Sequence, residues 1–291
     1  MQGKICVITG ATSGIGKATA VTLASLGASV IMVCRNRDKG EMIRLNIIED
    51  TENPNVRLYV GDLSIQQDII RLAEEISGDY PVIDVLVNNA GAIFQKFEMT
   101  PDGLEKTFAT NYIAYFLLTG LLLDNLKAAR SARIVNVASE AQRIGKINFD
   151  DLNFHEGYTP MKAYSQSKLA NIMFTFELAE KLQGTNVTVN CYHPGIVSTG
   201  FAKELKGFVG FVFSFFRPFM RTPEKAAETG IWLAISEQIT NVNGKYFSKK
   251  KEIRAQNCCF NKKDRELLWG MSDNLCGLSQ IMEEKMSFFK V

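Results

Sequence analysis

The chain has 291 residues, 46% of them hydrophobic, and its 33 basic against 31 acidic residues leave a net charge of +2. This length fits one large α/β domain or two modest ones, and the balanced charge lacks the clustered basic excess that a nucleic-acid-binding protein needs. Six scattered cysteines and two histidines show neither metal-ligand nor disulfide spacing, which argues against a metal site and favours a reducing, cytoplasmic compartment.

Short apolar runs alternate with helical patterns along the chain. Strands are predicted at Lys4–Thr9, Ala28–Cys34, Val56–Val60, Ile83–Val87, Arg133–Ala138, Val187–Tyr192 and Gly244–Phe247. Helices are predicted at Gly14–Leu26, Lys39–Asp50, around Leu72–Ile76, and at Asp102–Ala129, Lys162–Leu182 and Glu224–Ile235. Several strands are unbroken apolar runs, as in strands buried on both faces. The pattern predicts a Rossmann-type α/β fold, a doubly wound parallel sheet of about seven strands with helices on both faces.

The domain organisation follows from the absence of a Pro- or Ser-rich linker and of repeats, which predicts a single domain. We expect residues 1–250 to form the dinucleotide-binding and catalytic domain, with an apolar substrate lid at 200–222. Residues 251–291 are expected to form a helical extension packed on that domain. Because the first predicted strand begins at Lys4, we expect neither a signal peptide nor a transmembrane segment. Lys249-Lys250-Lys251 fits a solvated turn.

Tyr164 and Lys168 lie four residues apart in a predicted helix, so their side chains share one helical face. A phenol has a pKa near 10, which makes it a poor proton donor and acceptor at neutral pH. A nearby cation favours the phenolate and lowers that pKa. The pair is therefore a candidate acid/base, although a solvated helix face with this spacing is common.

A glycine-rich turn lies between the first predicted strand and the first predicted helix. Its sequence, Thr9-Gly10-Ala11-Thr12-Ser13-Gly14-Ile15-Gly16, has the spacing Gly-x-x-x-Gly-x-Gly. Glycines let the backbone approach a pyrophosphate closely, and the following helix offers free N–H groups and the positive end of its dipole. The turn is therefore a candidate dinucleotide-binding loop.

The end of the second predicted strand indicates which dinucleotide is bound. An NAD enzyme usually places an acidic residue here to hold the ribose 2′-hydroxyl. This chain has Arg35 and Arg37 instead, and its first acid, Asp38, is already in the next helix. Guanidinium groups can grip a 2′-phosphate through two hydrogen bonds, so NADP(H) is predicted.

Six motifs in this order resemble the short-chain dehydrogenase/reductase family. Besides the glycine-rich turn they are Asn88-Asn89-Ala90-Gly91, Asn111 in Thr110-Asn111-Tyr112, Ser139, Tyr164-x-x-x-Lys168 and Pro194-Gly195-Ile196-Val197-Ser198-Thr199. The match runs from about residue 3 to residue 250. Within the family, the chain is similar to the retinol dehydrogenase-like branch, which includes NADP-dependent reductases of lipophilic carbonyl compounds. Members of that branch in vertebrates carry an apolar N-terminal anchor that this sequence does not show.

The resemblance implies a role for each catalytic residue. Tyr164 would act as acid/base. Lys168 would lower the pKa of Tyr164 and hold the nicotinamide ribose. Ser139 would orient the carbonyl oxygen, and Asn111 would hold a water that relays protons.

The resemblance also implies contacts with the cofactor. The cofactor-binding residues would be Gly10, Ser13, Gly14, Ile15, Gly16, Arg35, Arg37, Asp62, Leu63, Asn89, Ala90, Gly91, Tyr164, Lys168, Pro194, Gly195, Val197 and Thr199. Among them, Asp62 and Leu63 would contact adenine, and Val197 and Thr199 the carboxamide of the nicotinamide. Dimers formed through the long helices are frequent in the family, so a homodimer is an open expectation.

The substrate side is predicted to be apolar. Residues 207–216 contain five phenylalanines and no charge, and basic residues flank them. In the family this segment covers the substrate, which implies an apolar aldehyde, ketone or alcohol. Ten residues cannot span a bilayer, which needs about 20. Two alternatives stay open: peripheral membrane contact through 207–216, or packing into the core or a subunit interface.

Three functions are compatible with these motifs. The first is an NADP(H)-dependent oxidoreductase acting on CH–OH donors. The second is a catalytically silent NADP(H)-binding scaffold or redox sensor, which would not need Asn111, Ser139, Tyr164 and Lys168 together. The third is a sugar-nucleotide epimerase, whose usual Gly-x-x-Gly-x-x-Gly spacing and larger C-terminal domain are not seen.

Overall fold

The computed structural model describes residues 1–195 and 221–288, with side chains to residue 284. Its sheet has the strand order β3-β2-β1-β4-β5-β6-β7-β8. The strands are β1 (Ile5–Thr9), β2 (Ser29–Cys34), β3 (Val56–Val60), β4 (Val85–Asn88), β5 (Ala132–Val137), β6 (Val187–Tyr192), β7 (Tyr246–Ser248) and β8 (Lys251–Glu252). All neighbours pair in parallel except β7 and β8. The predicted doubly wound sheet is confirmed; the additional β8 has only two residues, too few for a sequence pattern.

The helices lie on both faces of this sheet. They are α1 (Gly14–Ser25), α2 (Arg37–Thr51), α3 (Gln66–Asp79), α4 (Lys106–Phe108), α5 (Ala114–Leu121), α6 (Leu123–Lys127), α7 (Pro160–Lys181), α8 (Pro223–Ile235), α9 (Lys262–Cys276) and α10 (Leu278–Phe288). Within the described ranges, no helix has both the length and the apolar character needed to cross a membrane.

The sheet separates two hydrophobic clusters, because successive strand residues point to opposite faces. Val7 and Leu86 pack with residues of α3, α5 and α7 on one face. Ile8 and Val87 pack with residues of α1, α2 and α8 on the other. Both faces of the central strands are therefore buried, as their unbroken apolar runs predicted.

The predicted helix Asp102–Ala129 is divided in the structure. It begins at Lys106 because the buried carboxylate of Glu105 accepts the N–H groups of Thr107 and Phe108, each at 2.8 Å. This cap satisfies two of the free donors at the helix start. A wider π-helical turn, Ala109–Ile113, follows before α5. Such turns widen the helix by one residue and are frequent at functional sites.

The C-terminal helices pack on α5 and α7. Trp269 of α9 lies against Phe116 and Phe174, with ring centroids 4.8 and 5.9 Å apart. The Tyr112 hydroxyl and the Ser272 hydroxyl, both buried, lie 2.7 Å apart and form a hydrogen bond. The turn that carries Asn111 and the helix that carries Tyr164 and Lys168 are thus held from the outside by α9.

A buried ion pair joins α9 to α7, and it gives a prediction for stability. The side chains of Arg265 and Glu177 are 5% and 4% exposed, with Nε and Oε2 3.3 Å apart. Arg265→Ala should lower the free energy of unfolding by about 3 kcal/mol, the low end for a broken buried pair, because Lys181 still lies 3.5 Å from Glu177.

The matched control is Lys262→Ala, which removes an exposed partner 3.8 Å from Glu180 and should cost less than about 1 kcal/mol. Urea-induced unfolding of both variants measures the difference. Equal losses would contradict a structural role for the buried pair.

Candidate active site

The described members of the predicted site all lie near one edge of the sheet, because the carboxyl ends of parallel strands meet there. Gly10 to Gly16 follow β1, Arg35 and Arg37 follow β2, Asp62 and Leu63 follow β3, Asn89 to Gly91 follow β4, Ser139 follows β5, and Pro194 and Gly195 follow β6. Asn111 comes from the π-helical turn, and Tyr164 and Lys168 from α7. Val197, Thr199 and the apolar segment 207–216 lie outside the described residues.

The glycine-rich turn is packed so closely that side chains would not fit. Gly10 and Gly14 have φ values of +68° and +54°, which L-residues rarely adopt. A Cβ on Gly16 would lie 2.3 Å from the Gly10 carbonyl oxygen and 2.5 Å from Nδ2 of Asn89. That Nδ2 donates to the Thr9 carbonyl at 2.8 Å, so the β4 end supports the turn after β1.

The start of α1 presents its backbone to the open edge of the sheet. Ser13 is exposed, and among the described residues its side chain caps no N–H group of α1. The first turn of α1 contains no acidic residue. Free N–H groups and the positive end of the helix dipole favour an anion here. The start of α1 is therefore suited to an anion, and its contact with the pyrophosphate of a dinucleotide stays a prediction.

Arg35 and Asp62, predicted on different parts of the cofactor, lie next to each other at the ends of β2 and β3. Arg35 Nη1 and Asp62 Oδ2 are 3.6 Å apart, and the Arg35 side chain is 69% exposed. Arg37, the first residue of α2, is also exposed. Both guanidinium groups are therefore accessible beside the glycine-rich turn, whereas Leu63 is buried.

Asn111 holds the loop that follows β4. Its Oδ1 accepts the Ala92 N–H at 2.7 Å, and its Nδ2 donates to the Ala92 carbonyl at 2.9 Å and to Ser167 Oγ at 3.1 Å. A Cβ on Gly91 would lie 3.2 Å from Asn111 Oδ1 and 3.5 Å from Lys168 Nζ. The loop, the turn and α7 thus converge at Gly91.

Lys168 is buried, and its ammonium lies between two aromatic rings. Nζ donates to the Val137 carbonyl at 3.0 Å, and lies 5.5 and 5.8 Å from the ring centroids of Tyr115 and Tyr164. Burial lowers the pKa of Lys168 to about 7. The helix α7 is therefore anchored to the last residue of β5 by the residue predicted to assist Tyr164.

The pKa of Tyr164 is raised, whereas Lys168 was expected to lower it. Burial raises the pKa of Tyr164, and a hydrogen bond with the Ser139 side chain lowers it in part. Desolvation of the phenol is the dominant influence on this pKa, while Nζ of Lys168 donates to the Val137 carbonyl and lies over the ring of Tyr164, 5.8 Å from its centroid. The side chains of Ser139 and Tyr164 are in contact, and Ser139 Oγ also accepts the Ala141 N–H at 3.2 Å.

The sequence reasoning missed three supporting residues. Thr9 Oγ1 accepts the N–H groups of Asn89 and Ala90 at 2.9 and 3.0 Å. The Tyr115 hydroxyl donates to the Ala90 carbonyl at 2.9 Å. Ser167 is the partner of Asn111. Thr9 and Ser167 lie within motifs of the sequence and Tyr115 four residues after Asn111, but only the structure reveals their contacts.

Comparison with known proteins identifies the family. The sequence profile of the short chain dehydrogenases matches residues 4–208. The chain belongs to this family. Retinol dehydrogenase 12 of Mus musculus is 41% identical over 278 residues, which cover 96% of this chain and 88% of that protein. Retinol dehydrogenase 14 of Homo sapiens is 41% identical over 295 residues, with the same two shares. This short-chain dehydrogenase lies in the retinol dehydrogenase-like branch and is an alcohol/carbonyl oxidoreductase.

Two solved structures have the same fold. An uncharacterized protein from Mycobacterium paratuberculosis superposes with a TM-score of 0.77 at 29% identity, covering 95% of this chain and 94% of its own. A short chain dehydrogenase from Shigella flexneri, complexed with NADP, superposes with a TM-score of 0.69 at 26% identity, covering 86% of this chain and 98% of its own.

The buried Lys168 predicts how stability depends on pH. Its pKa is about 7 in the folded chain against an ordinary 10.5, so the unfolded chain binds more protons between these values. Stability from this group therefore rises with pH across that window, because deprotonation relieves the buried charge. Lys168→Met removes this contribution, so its free energy of unfolding relative to the wild type should fall from pH 7 to pH 10. Urea unfolding of both apoproteins measures it, and parallel pH dependences would contradict the prediction.

Proposed function

We propose that this short-chain dehydrogenase interconverts a lipophilic aldehyde or ketone and its alcohol with NADP(H). The observation that carries the proposal is the contact between Ser139 and Tyr164, with Lys168 buried beside them, at the sheet edge where the glycine-rich turn can receive a dinucleotide. The name of the relatives, retinol dehydrogenase, and the NADP in the Shigella flexneri structure support the substrate class and the cofactor.

The proposed chemistry places an acid/base beside a carbonyl carbon. The bound nicotinamide supplies or accepts the hydride. In the reductive direction negative charge grows on the carbonyl oxygen, and Tyr164 donates its proton to that oxygen. Ser139 donates a hydrogen bond to the same oxygen and orients it, which stabilises the developing charge. In the oxidative direction Tyr164 accepts the proton from the alcohol.

The raised pKa of Tyr164 fits the reductive direction, in which the phenol must be protonated before the reaction. Once Tyr164 has given up its proton, the ammonium of Lys168 stabilises the phenolate, and Lys168 also holds the nicotinamide ribose. Asn111 keeps the loop after β4 in place and provides a polar group between that loop and α7. Arg35 and Arg37 would bind the 2′-phosphate of NADP(H).

We also propose how the chain is divided into a catalytic domain and an extension. Residues 1–250 form the dinucleotide-binding and catalytic domain, and 251–291 an extension that begins with β8 in the same sheet and whose helix α9 braces the catalytic elements. The contacts of Trp269 and of Ser272 with the rest of the chain support this role.

Tyr164→Phe distinguishes the enzyme from a silent NADP(H)-binding scaffold. Removing the acid/base should lower kcat for a medium-chain aldehyde by about 10²- to 10⁴-fold, while NADPH binding is retained. Absorbance of NADPH measures turnover and its fluorescence measures binding. The control Tyr59→Phe removes a hydroxyl on β3 that donates to Asp79 of α3, and it should leave both unchanged. A wild type that binds NADPH tightly without reducing any aldehyde or ketone would favour the scaffold.

Arg35→Ala and Arg37→Ala test the choice of cofactor. Loss of a charge-assisted hydrogen bond to the 2′-phosphate should weaken NADPH binding roughly tenfold or more and leave NADH binding unchanged. Arg57→Ala serves as the control, because this exposed arginine lies at the opposite end of β3. An unaltered preference between NADPH and NADH would show that the arginines do not select the cofactor.

A further inference from the structure

A cleft of about 960 Å³ lies at the same sheet edge as Ser139, on the side of β6 and β7. Its walls come from the turn after Ser139, the end of β6 and the segment that begins at the end of β7. Its charged and polar lining residues include Glu140, Arg143, His193, Lys249, Arg254 and Gln256. We call it the basic cleft. Because Glu140 directly follows Ser139, the cleft begins next to the proposed position of the reacting carbonyl group.

The charges in the basic cleft are unbalanced. Three cations, Arg143, Lys249 and Arg254, line it together with one carboxylate, that of Glu140. Glu140 forms an ion pair with Arg143, and its Oε2 lies 3.1 Å from His193 Nε2. Among the described residues, no carboxylate lies within ion-pair distance of Lys249 or Arg254. Two positive charges thus face the cleft without a counter-ion from the described chain.

The position of Lys249 carries backbone strain. The pairing of Ser248 with Lys251 leaves a two-residue turn between β7 and β8, formed by Lys249 and Lys250. Their φ values are +52° and +61°. Tight hairpin turns of this kind prefer Asn-Gly, because side chains other than those of Gly, Asn and Asp are unfavourable at positive φ. Strained residues of this kind cluster at functional sites.

The surroundings of His193 report the positive potential of the cleft. Burial lowers the pKa of His193, Glu140 raises it, and Arg221, Arg143 and Lys249 lower it further. Arg221 adds a fourth cation on this side, and its Cδ would lie 3.1 Å from a Cβ on Gly195. The cations therefore act together on one region.

The basic cleft is too far from Arg35 to serve the adenosine end of the cofactor. The strand order places β2 and β7 five positions apart. At about 4.8 Å between neighbouring strands, the two ends are separated by about 24 Å. Ser139, at the end of β5, is only one or two strands from the cleft. An anion bound here belongs to the substrate side of the site.

We propose that the basic cleft binds a carboxylate of the substrate, so that the molecule reduced or oxidised has an apolar body, a reacting carbonyl or hydroxyl group, and a remote carboxylate. The guanidinium fork of Arg254, which also donates to Asn257 at 3.0 Å, matches the geometry of a carboxylate, and Lys249 adds a point charge. Arg143, paired with Glu140, adds to the positive potential of the cleft. This substrate class rests on the proposed function and narrows it, because a neutral retinoid or steroid would leave Lys249 and Arg254 without an anionic partner.

The test compares a medium-chain ω-oxo carboxylic acid with its methyl ester, each with NADPH. The wild type should have the higher kcat/KM for the acid, and added salt should reduce this preference. Lys249→Asn should lower the ratio of kcat/KM values, acid over ester, about three- to fivefold, which is the size of an exposed charge pair. Asparagine tolerates positive φ, so this variant removes the charge without adding strain.

Lys250→Asn is the matched control. Lys250 has the same exposure and the same positive φ in the same turn but does not line the cleft, so its variant should leave the ratio unchanged. Equal turnover of acid and ester by the wild type, or equal shifts in both variants, would overturn the carboxylate site and leave the proposed function standing. Turnover of neither compound would overturn both. If Lys249→Asn removed binding to phosphatidylserine vesicles without changing the ratio, the cations would serve a membrane surface instead, and the proposal would be wrong.

Discussion

The arrangement of the site depends on the burial of one ammonium group. Lys168 is 3% exposed, and its Nζ donates to the carbonyl of Val137, the last residue of β5. This bond fixes α7 against the sheet at the point where Ser139 leaves it. Desolvation of the charged form lowers the pKa of Lys168. Because Tyr164 lies one helical turn before Lys168, the same bond sets the position of the phenol against Ser139.

A buried polar network supports that arrangement from within the sheet. Asn88 Nδ2 donates to Thr119 Oγ1 and to Asn136 Oδ1, and Asn136 Nδ2 donates to Thr175 Oγ1, all at 2.9 Å. The network joins β4 and β5 to α5 and α7. Side-chain hydrogen bonds of this kind hold a buried structure in one arrangement, because breaking any one leaves an unsatisfied polar group. The loops that start at Asn89 and Ser139 therefore begin from rigid strand ends.

The apolar and the charged parts of the substrate side complement each other. The phenylalanine-rich segment predicted an apolar substrate, and the basic cleft beside Ser139 adds a place for one anionic group. Lys249 shows how the interpretation of a residue from the sequence differs from its position in the fold. As a run of three lysines it fits a solvated turn, whereas in the fold its neighbour Ser248 ends β7 and its own side chain lines the cleft. A charge acquires a role through the charges that the fold brings near it.

The resemblance to the family placed Ser139 beside Tyr164 and Lys168. Periodicity and motif spacing in the sequence were enough to predict the doubly wound sheet, the glycine-rich turn and the shared helical face of Tyr164 and Lys168. These features are local, because strand and helix periods, glycine positions and i, i+4 spacing can be read within a few residues. Only the tertiary structure decided the division of the predicted helix by the π-helical turn Ala109–Ile113, the direction of the pKa shift of Tyr164, and the contacts of Thr9 and Tyr115. Each of these depends on burial and on partners far away in the chain, and desolvation cannot be read from spacing because it is a property of the packed interior.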